Sequence, residues 1–151
     1  MNWNWNSQLL ILLNVAIAAV LTGLIGIERE SKNKPAGFRT NMIVGSSAAL
    51  LLSLSKVIVS SYAYSDLSEV VQADPTRIIE AIIVGISFIG AGTILKGRDE
   101  DKVYYLTTAA TVLFSAAIGI AVALEQYLLA SSATVLLLII NRLVKYVYNK
   151  L

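Results

Sequence analysis

The chain has 151 residues, of which 56% are hydrophobic and 15% charged, with a net charge of +2 and a mean hydropathy of +0.70. Soluble domains carry about 25% charged residues, so this chain lacks the polar surface that water demands and a bilayer is its expected solvent. Cysteine and histidine are both absent, which excludes disulfides, zinc centres, thiol nucleophiles and imidazole acid/base chemistry.

A transmembrane helix needs about 20 mostly apolar residues to cross roughly 30 Å of hydrocarbon. The first such stretch covers residues 8–27, after a polar start containing Asn2, Asn4 and Asn6. No Lys or Arg precedes it and the apolar run is long, which favours a span over a cleaved signal peptide. Residues 41–61 form the second stretch, 76–95 the third, 103–124 the fourth and 127–147 the fifth. The links between them are short, with a tight turn at Glu125 and Gln126. These lengths predict an all-α, polytopic integral membrane bundle of five helices, one transmembrane domain over residues 1–151.

The third stretch opens with Asp74-Pro75-Thr76-Arg77. A carboxylate suits the N-cap because it accepts the first free backbone N–H groups, and proline suits the first helical position because it has no N–H to lose. Asp74, Arg77 and Glu80 follow at steps of three, so they share a face and form an expected outer-face ion cluster. An ionised acid costs about 2.5–3.5 kcal/mol at the bilayer centre and less near the interface. Glu80 is therefore either an ion or proton relay, or a contact to a partner helix, or an acid neutralised by Arg77 and reached by water.

Ala81, Gly85, Phe88 and Gly92 share a second face of this helix, and Ser87 and Ala91 extend the one that carries Glu80. The fourth stretch brings Thr107, Thr108, Thr111, Ser115 and Gly119. Small residues let helices approach closely in lipid, so tight packing within the bundle competes with a hydroxyl-lined hydrophilic path.

Basic residues collect on the cytoplasmic side of short membrane loops. Arg29, Lys32, Lys34 and Arg39, then Lys96, Arg98 and Lys102, then Arg142, Lys145 and Lys150 all fall on one side of a five-span chain, leaving Lys56 and Arg77 near the other. The N-terminus is thus expected outside and the C-terminus in the cytoplasm. Trp3, Trp5, Tyr62, Tyr64, Tyr104, Tyr105, Tyr146 and Tyr148 lie near span ends, where amphipathic rings anchor at the interface. The basic clusters lack interleaved aromatic platforms, so nucleic acid is not an expected partner. Asp99, Glu100 and Asp101 are adjacent in a lysine-flanked loop and read as a solvated turn, since magnesium takes octahedral oxygens from groups that converge. No glycine loop for phosphates and no nucleophile with its base is present, so no enzymatic activity, catalytic residue, cofactor or resident metal is expected.

Four motifs occur in order: Gly23-Leu24-Ile25-Gly26-Ile27-Glu28-Arg29-Glu30; Lys34-Pro35-Ala36-Gly37-Phe38-Arg39-Thr40; Asp74-Pro75-Thr76-Arg77-Ile78 leading into Gly85-Ile86-Ser87-Phe88-Ile89-Gly90-Ala91-Gly92; and Leu106-Thr107-Thr108-Ala109-Ala110. Together they resemble the MgtC/SapB family of bacterial and archaeal membrane proteins over about residues 8–140. The resemblance implies a plasma-membrane location and a role linked to magnesium limitation and, in some pathogens, survival inside host cells. It also implies regulation of a larger membrane complex, such as the proton-driven ATP synthase or a transporter. Longer members of the family add a C-terminal cytoplasmic domain, and this sequence is expected to consist of the transmembrane domain. It departs from the family pattern at Tyr105 and Ser87, where glycine is usual, at Ala81, where glutamine is usual, and at Asn41, where histidine is common.

The Glu28 motif ends the first span, the Arg39 motif begins the second, the stretch holding Gly90 and Gly92 ends the third and the Thr107-Thr108 motif begins the fourth, so all four are expected to face the cytoplasm. Glu28, Arg39, Thr40, Thr107 and Thr108 are therefore expected to meet in one site for a ligand or partner. Gly85, Gly90 and Gly92 would let the helices close, and Asp74 and Arg77 would fasten the outer end. A simpler role pairs Glu28 with Arg39 to brace the first loop. The expected function is that of a regulatory membrane protein, associated as a homodimer. The alternative is a small transporter or channel for magnesium or another cation, with Glu80 and the hydroxyl faces as its pathway.

Overall fold

A segment without water around it must satisfy its backbone N–H and C=O groups internally, so long apolar runs become helices. The computed structural model describes residues 5–63, 74–95 and 105–148, and these form five α-helices and no strand. In chain order they are α1 Trp5–Ser31, α2 Phe38–Ala63, α3 Pro75–Leu95, α4 Leu106–Ala123 and α5 Tyr127–Tyr148. Four stretches, Trp5–Ser31, Phe38–Ser60, Thr76–Ile94 and Leu106–Ala123, are long and apolar enough to cross a membrane. The apolar part of α5, Tyr127–Arg142, is shorter.

Helices α1 and α2 extend past the apolar runs that predict them. Helix α1 continues through Glu28, Arg29 and Glu30 because each of these side chains finds a partner on another part of the chain. It ends at Asn33, whose φ of 53° allows Asn33 N–H to reach Glu30 C=O and Lys34 N–H to reach Arg29 C=O, both at 3.0 Å. Asparagine tolerates that left-handed conformation better than most residues. Helix α4 ends in the same way at Glu125, with φ at 62° and N–H bonds from Glu125 to Val122 (2.8 Å) and from Gln126 to Ala121 (2.9 Å).

Helices α1, α2 and α4 make the core, lined by Ile25, Leu52, Val112, Ile118 and Val122. Their closest approach runs through two glycines. A Cβ on Gly119 would overlap the carbonyl oxygen of Gly45, and a Cβ on Gly45 would overlap the Thr22 side chain. Half of the α4 span is buried against 11% of the α3 span. Helix α3 is therefore peripheral, and its small-residue face points outward: Ala81, Gly85 and Gly92 are exposed and Phe88 is 82% exposed. Gly85 and Gly92, expected to pack helices, meet open space, whereas a Cβ on Gly90 would lie 3.3 Å from that of Ala109 on α4.

Asp74 caps α3, accepting from Thr76 N–H at 2.9 Å and from Thr76 Oγ1 at 2.6 Å. These bonds hold its carboxyl below the ordinary value of 3.8. Arg77 Nε lies 3.8 Å from Asp74 Oδ2, with both side chains exposed. Glu80 stays outside the expected ion cluster: it is exposed and pairs with no cation among the described residues. Expectations on Trp3, Tyr64, Tyr104, Lys96, Arg98, Lys102, Lys150 and the acidic run Asp99, Glu100 and Asp101 lie outside the described residues.

Candidate functional site

Successive helix positions are turned by about 100° from one another, so three consecutive side chains at a helix end can reach three different neighbours. Glu28, Arg29 and Glu30 do so. Glu28 accepts from Asn141 Nδ2 of α5 at 3.0 Å and pairs with Lys32 one turn on. Lys32 Nζ in turn donates to the Asn141 carbonyl at 2.9 Å. Arg29 donates through Nη2 to Thr108 Oγ1 of α4 at 2.5 Å. Glu30 Oε2 accepts from the N–H of Phe38 at 2.9 Å, placing a carboxylate on the N-terminal end of α2. One motif thus ties the end of α1 to α5, α4 and α2.

Two further details tighten this end. A Cβ on Gly26 would lie 2.6 Å from Phe38 Cα and 2.8 Å from Gly37 O, so glycine lets the α1–α2 link fold back onto α1. Asn41, buried completely, donates through Nδ2 to Ala36 O (2.6 Å) and Gly37 O (3.0 Å) and accepts from Ser115 Oγ at 2.8 Å. That amide fastens the link to α4. Thr108, Thr111 and Ser115 line the buried face of α4, and Thr111 returns its hydroxyl to Thr107 O at 2.7 Å.

Of the residues singled out in the sequence, Thr108 is buried here and Glu28 is partly buried nearby, each with a different partner. Arg39, Thr40 and Thr107 are exposed, and among the described residues neither Glu28 nor Thr108 bonds to Arg39. The cation that reaches Thr108 is Arg29, with only 5% of its surface exposed and its Nε without a partner among the described residues. The periodicity carried a signal for it. Asn14, Ala18, Thr22, Ile25 and Arg29 are buried in α1 at steps of four, four, three and four, one face of the helix. Polar residues on one stripe of an apolar span face inward. At the opposite end of the bundle Tyr127 Oη donates to Asn14 Oδ1 at 2.8 Å, and Lys56 Nζ donates to Ala123 O at 2.7 Å. Among the described residues no group of acidic side chains converges as a metal ion requires.

A bundle of long apolar helices, held at one end by buried charge and amide contacts, defines the class as a helical membrane protein. The chain belongs to the MgtC family, whose model matches residues 15–150. It is 39% identical over 134 residues to the protein MgtC of Salmonella typhimurium, covering 89% of this chain and 52% of MgtC. To SapB of Bacillus subtilis it is 34% identical over 141 residues, covering 93% of this chain and 59% of SapB. To YhiD of Escherichia coli K12, whose name suggests a magnesium transporter without asserting one, it is 37% identical over 131 residues, covering 85% of this chain and 58% of YhiD. The chain spans a little over half the length of these relatives. No solved structure matches it.

Proposed function

We propose that this protein is a regulatory membrane component linked to magnesium limitation. It acts by binding another membrane protein or a small ligand at the end of the bundle where Glu28, Arg29 and Glu30 fan out. That fan carries the reading: three neighbouring charges fix three other helices to α1, so an event at this end reaches α2, α4 and α5 together. Exposed Arg39, Thr40 and Thr107 border the same end and offer contact points. The chain crosses the plasma membrane of a bacterium or archaeon five times, and its basic links put this end in the cytoplasm. Association in pairs and a contact with a larger complex such as the ATP synthase follow from the family resemblance.

Transport through a Glu80 pathway gains no support from the position of that acid, which is exposed on the peripheral helix and pairs with no cation among the described residues. Magnesium flux into proteoliposomes holding the purified protein tests the two readings. A regulator gives no flux above empty vesicles, and a photo-crosslinker at Thr107 gives a discrete adduct in native membranes. Flux that Glu80→Gln abolishes replaces this reading with the transporter.

A further inference from the structure

We propose that Arg29 and the first turn of α4 form a binding site for a phosphate-type oxyanion. This deepens the functional reading above by naming what that end of the bundle holds.

Arg29 presents five N–H donors and spends one on Thr108 Oγ1. Its Nε is buried with no acceptor among the described residues, and only 5% of the residue is exposed. A buried guanidinium calls for an anion, and although the Glu28 charge lends it coulombic support, neither adjacent carboxylate bonds to it among the described residues. Glu28 is committed to Lys32 and Asn141, and Glu30 to the N–H of Phe38. The group that Arg29 does touch makes the demand greater. Thr108 stands in the first turn of α4, where no side chain among the described residues caps the helix and Tyr105 precedes it in a left-handed conformation with φ at 68°. The first-turn N–H groups have no acceptor within the helix, and the helix dipole adds positive potential at this point. A fixed cation and the positive end of a helix are therefore held together.

An oxyanion with several oxygens resolves the conflict, accepting from the guanidinium fork on one side and from backbone N–H groups on the other. Leu106 and Thr107 are exposed, so the first turn is open to an approaching group. The site lies where the spans Trp5–Ser31 and Leu106–Ala123 end and begin. At that depth the phosphate comes either from a lipid headgroup or from free phosphate in the adjacent water.

The test uses the full chain in a neutral detergent, with the thermal unfolding midpoint followed against added inorganic phosphate, and separately against phosphatidylglycerol in mixed micelles. Sodium chloride at matched ionic strength and an uncharged diacyl lipid are the controls. A saturable rise with inorganic phosphate assigns the free anion, and a rise with phosphatidylglycerol alone assigns the headgroup. Arg29→Gln weakens the apparent affinity about tenfold or more, and Arg29→Lys, which keeps the charge and loses the fork, falls between. Tyr105→Asp places a competing carboxylate beside the first turn of α4 while leaving Arg29 intact, so it weakens binding. It decides the matter if Arg29→Gln does not fold. No saturable rise with either probe, or full binding in the folded variants, overturns the site. The flux and Thr107 crosslinking results are independent of this outcome, so failure here is distinct from failure of the regulatory reading.

Discussion

Helices α3 and α4 carry the same signature in the sequence, a stripe of small residues at helical spacing, and occupy opposite situations in the fold. In α4 the stripe is the most deeply buried surface of the protein, with Ser115 and Gly119 pressed against α2. In α3 it points away from the bundle, and Gly85 and Gly92 face open space. Small size permits close approach without requiring it. What turns α4 inward is a set of polar commitments, from Arg29 to Thr108 and from Ser115 to Asn41, that an apolar surrounding would leave unmet.

The largest effect expected follows from that contrast. Gly119→Val drives a branched side chain into the Gly45 backbone and lowers stability by about 3 kcal/mol or more, the upper end of overpacking costs. Gly85→Val on α3 changes it by less than about 0.5 kcal/mol, as substitutions away from any contact do. Unfolding midpoints of both variants in detergent check this. Equal losses break the distinction between the two helices, and a Gly85→Val particle of half the mass shows that the α3 stripe meets a second copy.

Next in size is Asn41→Ala. It deletes two bonds to the α1–α2 link and strands the buried Ser115 hydroxyl, for a loss of about 2 to 3 kcal/mol in the same measurement. Thr108→Val costs less, about 1 to 2 kcal/mol, because it removes a single acceptor from Arg29. A Thr108→Val loss larger than that of Asn41→Ala would make the guanidinium contact, rather than the amide clasp, the main restraint on α4.

The helices were legible in the sequence because bilayer thickness dictates the length of an apolar run, and the start of α3 because Asp74 followed by Pro75 meets the specific needs of a helix N-terminus. Rotation of each helix was less legible. Glu28 and Arg39 look like a natural pair across a short link, yet Arg39 is exposed and the carboxylate turns to Lys32 and Asn141, a residue more than a hundred positions away. Sequence proximity gives no measure of such a contact. The stripe of Asn14, Thr22 and Arg29 did hold the answer for α1, since three polar residues on one face of an apolar span have to point inward. Tyr105 shows a different kind of signal. At this position, where the family resemblance leads one to expect glycine, φ is 68°, a conformation that glycine adopts without strain.

A smaller and opposite effect belongs to the end of α4. Glu125 holds a left-handed conformation at φ 62° with both carbonyl-closing bonds formed, so Glu125→Gly keeps the bonds and removes the side-chain penalty. A gain of about 1 kcal/mol is expected. Because α4 is the central helix, the gain should appear in the global unfolding midpoint. If it appears only as local protection near residue 125, α4 unfolds independently of the rest and its central position carries less weight than its burial suggests.

The smallest effect separates the two helix starts. Asp74 has a folded-state value lowered below 3.8, chiefly by the Thr76 hydroxyl and then by the Thr76 N–H, while in the unfolded chain it returns to the ordinary range. A lowered value contributes stability above pH 3.8, and that contribution is lost as the pH falls through the folded value. The carboxylate is exposed, so the effect stays local to the first turn of α3. Hydrogen exchange at Thr76, Arg77 and Ile78, corrected for intrinsic rates, should therefore lose protection below pH 3.8. In Asp74→Asn the side chain still caps but does not titrate, and the slope vanishes. The first turn of α4, with no side-chain cap among the described residues, should show no such slope in phosphate-free buffer. If its protection falls with acid as that of α3 does, a carboxylate caps α4 after all, and the positive end facing Arg29 is already neutralised.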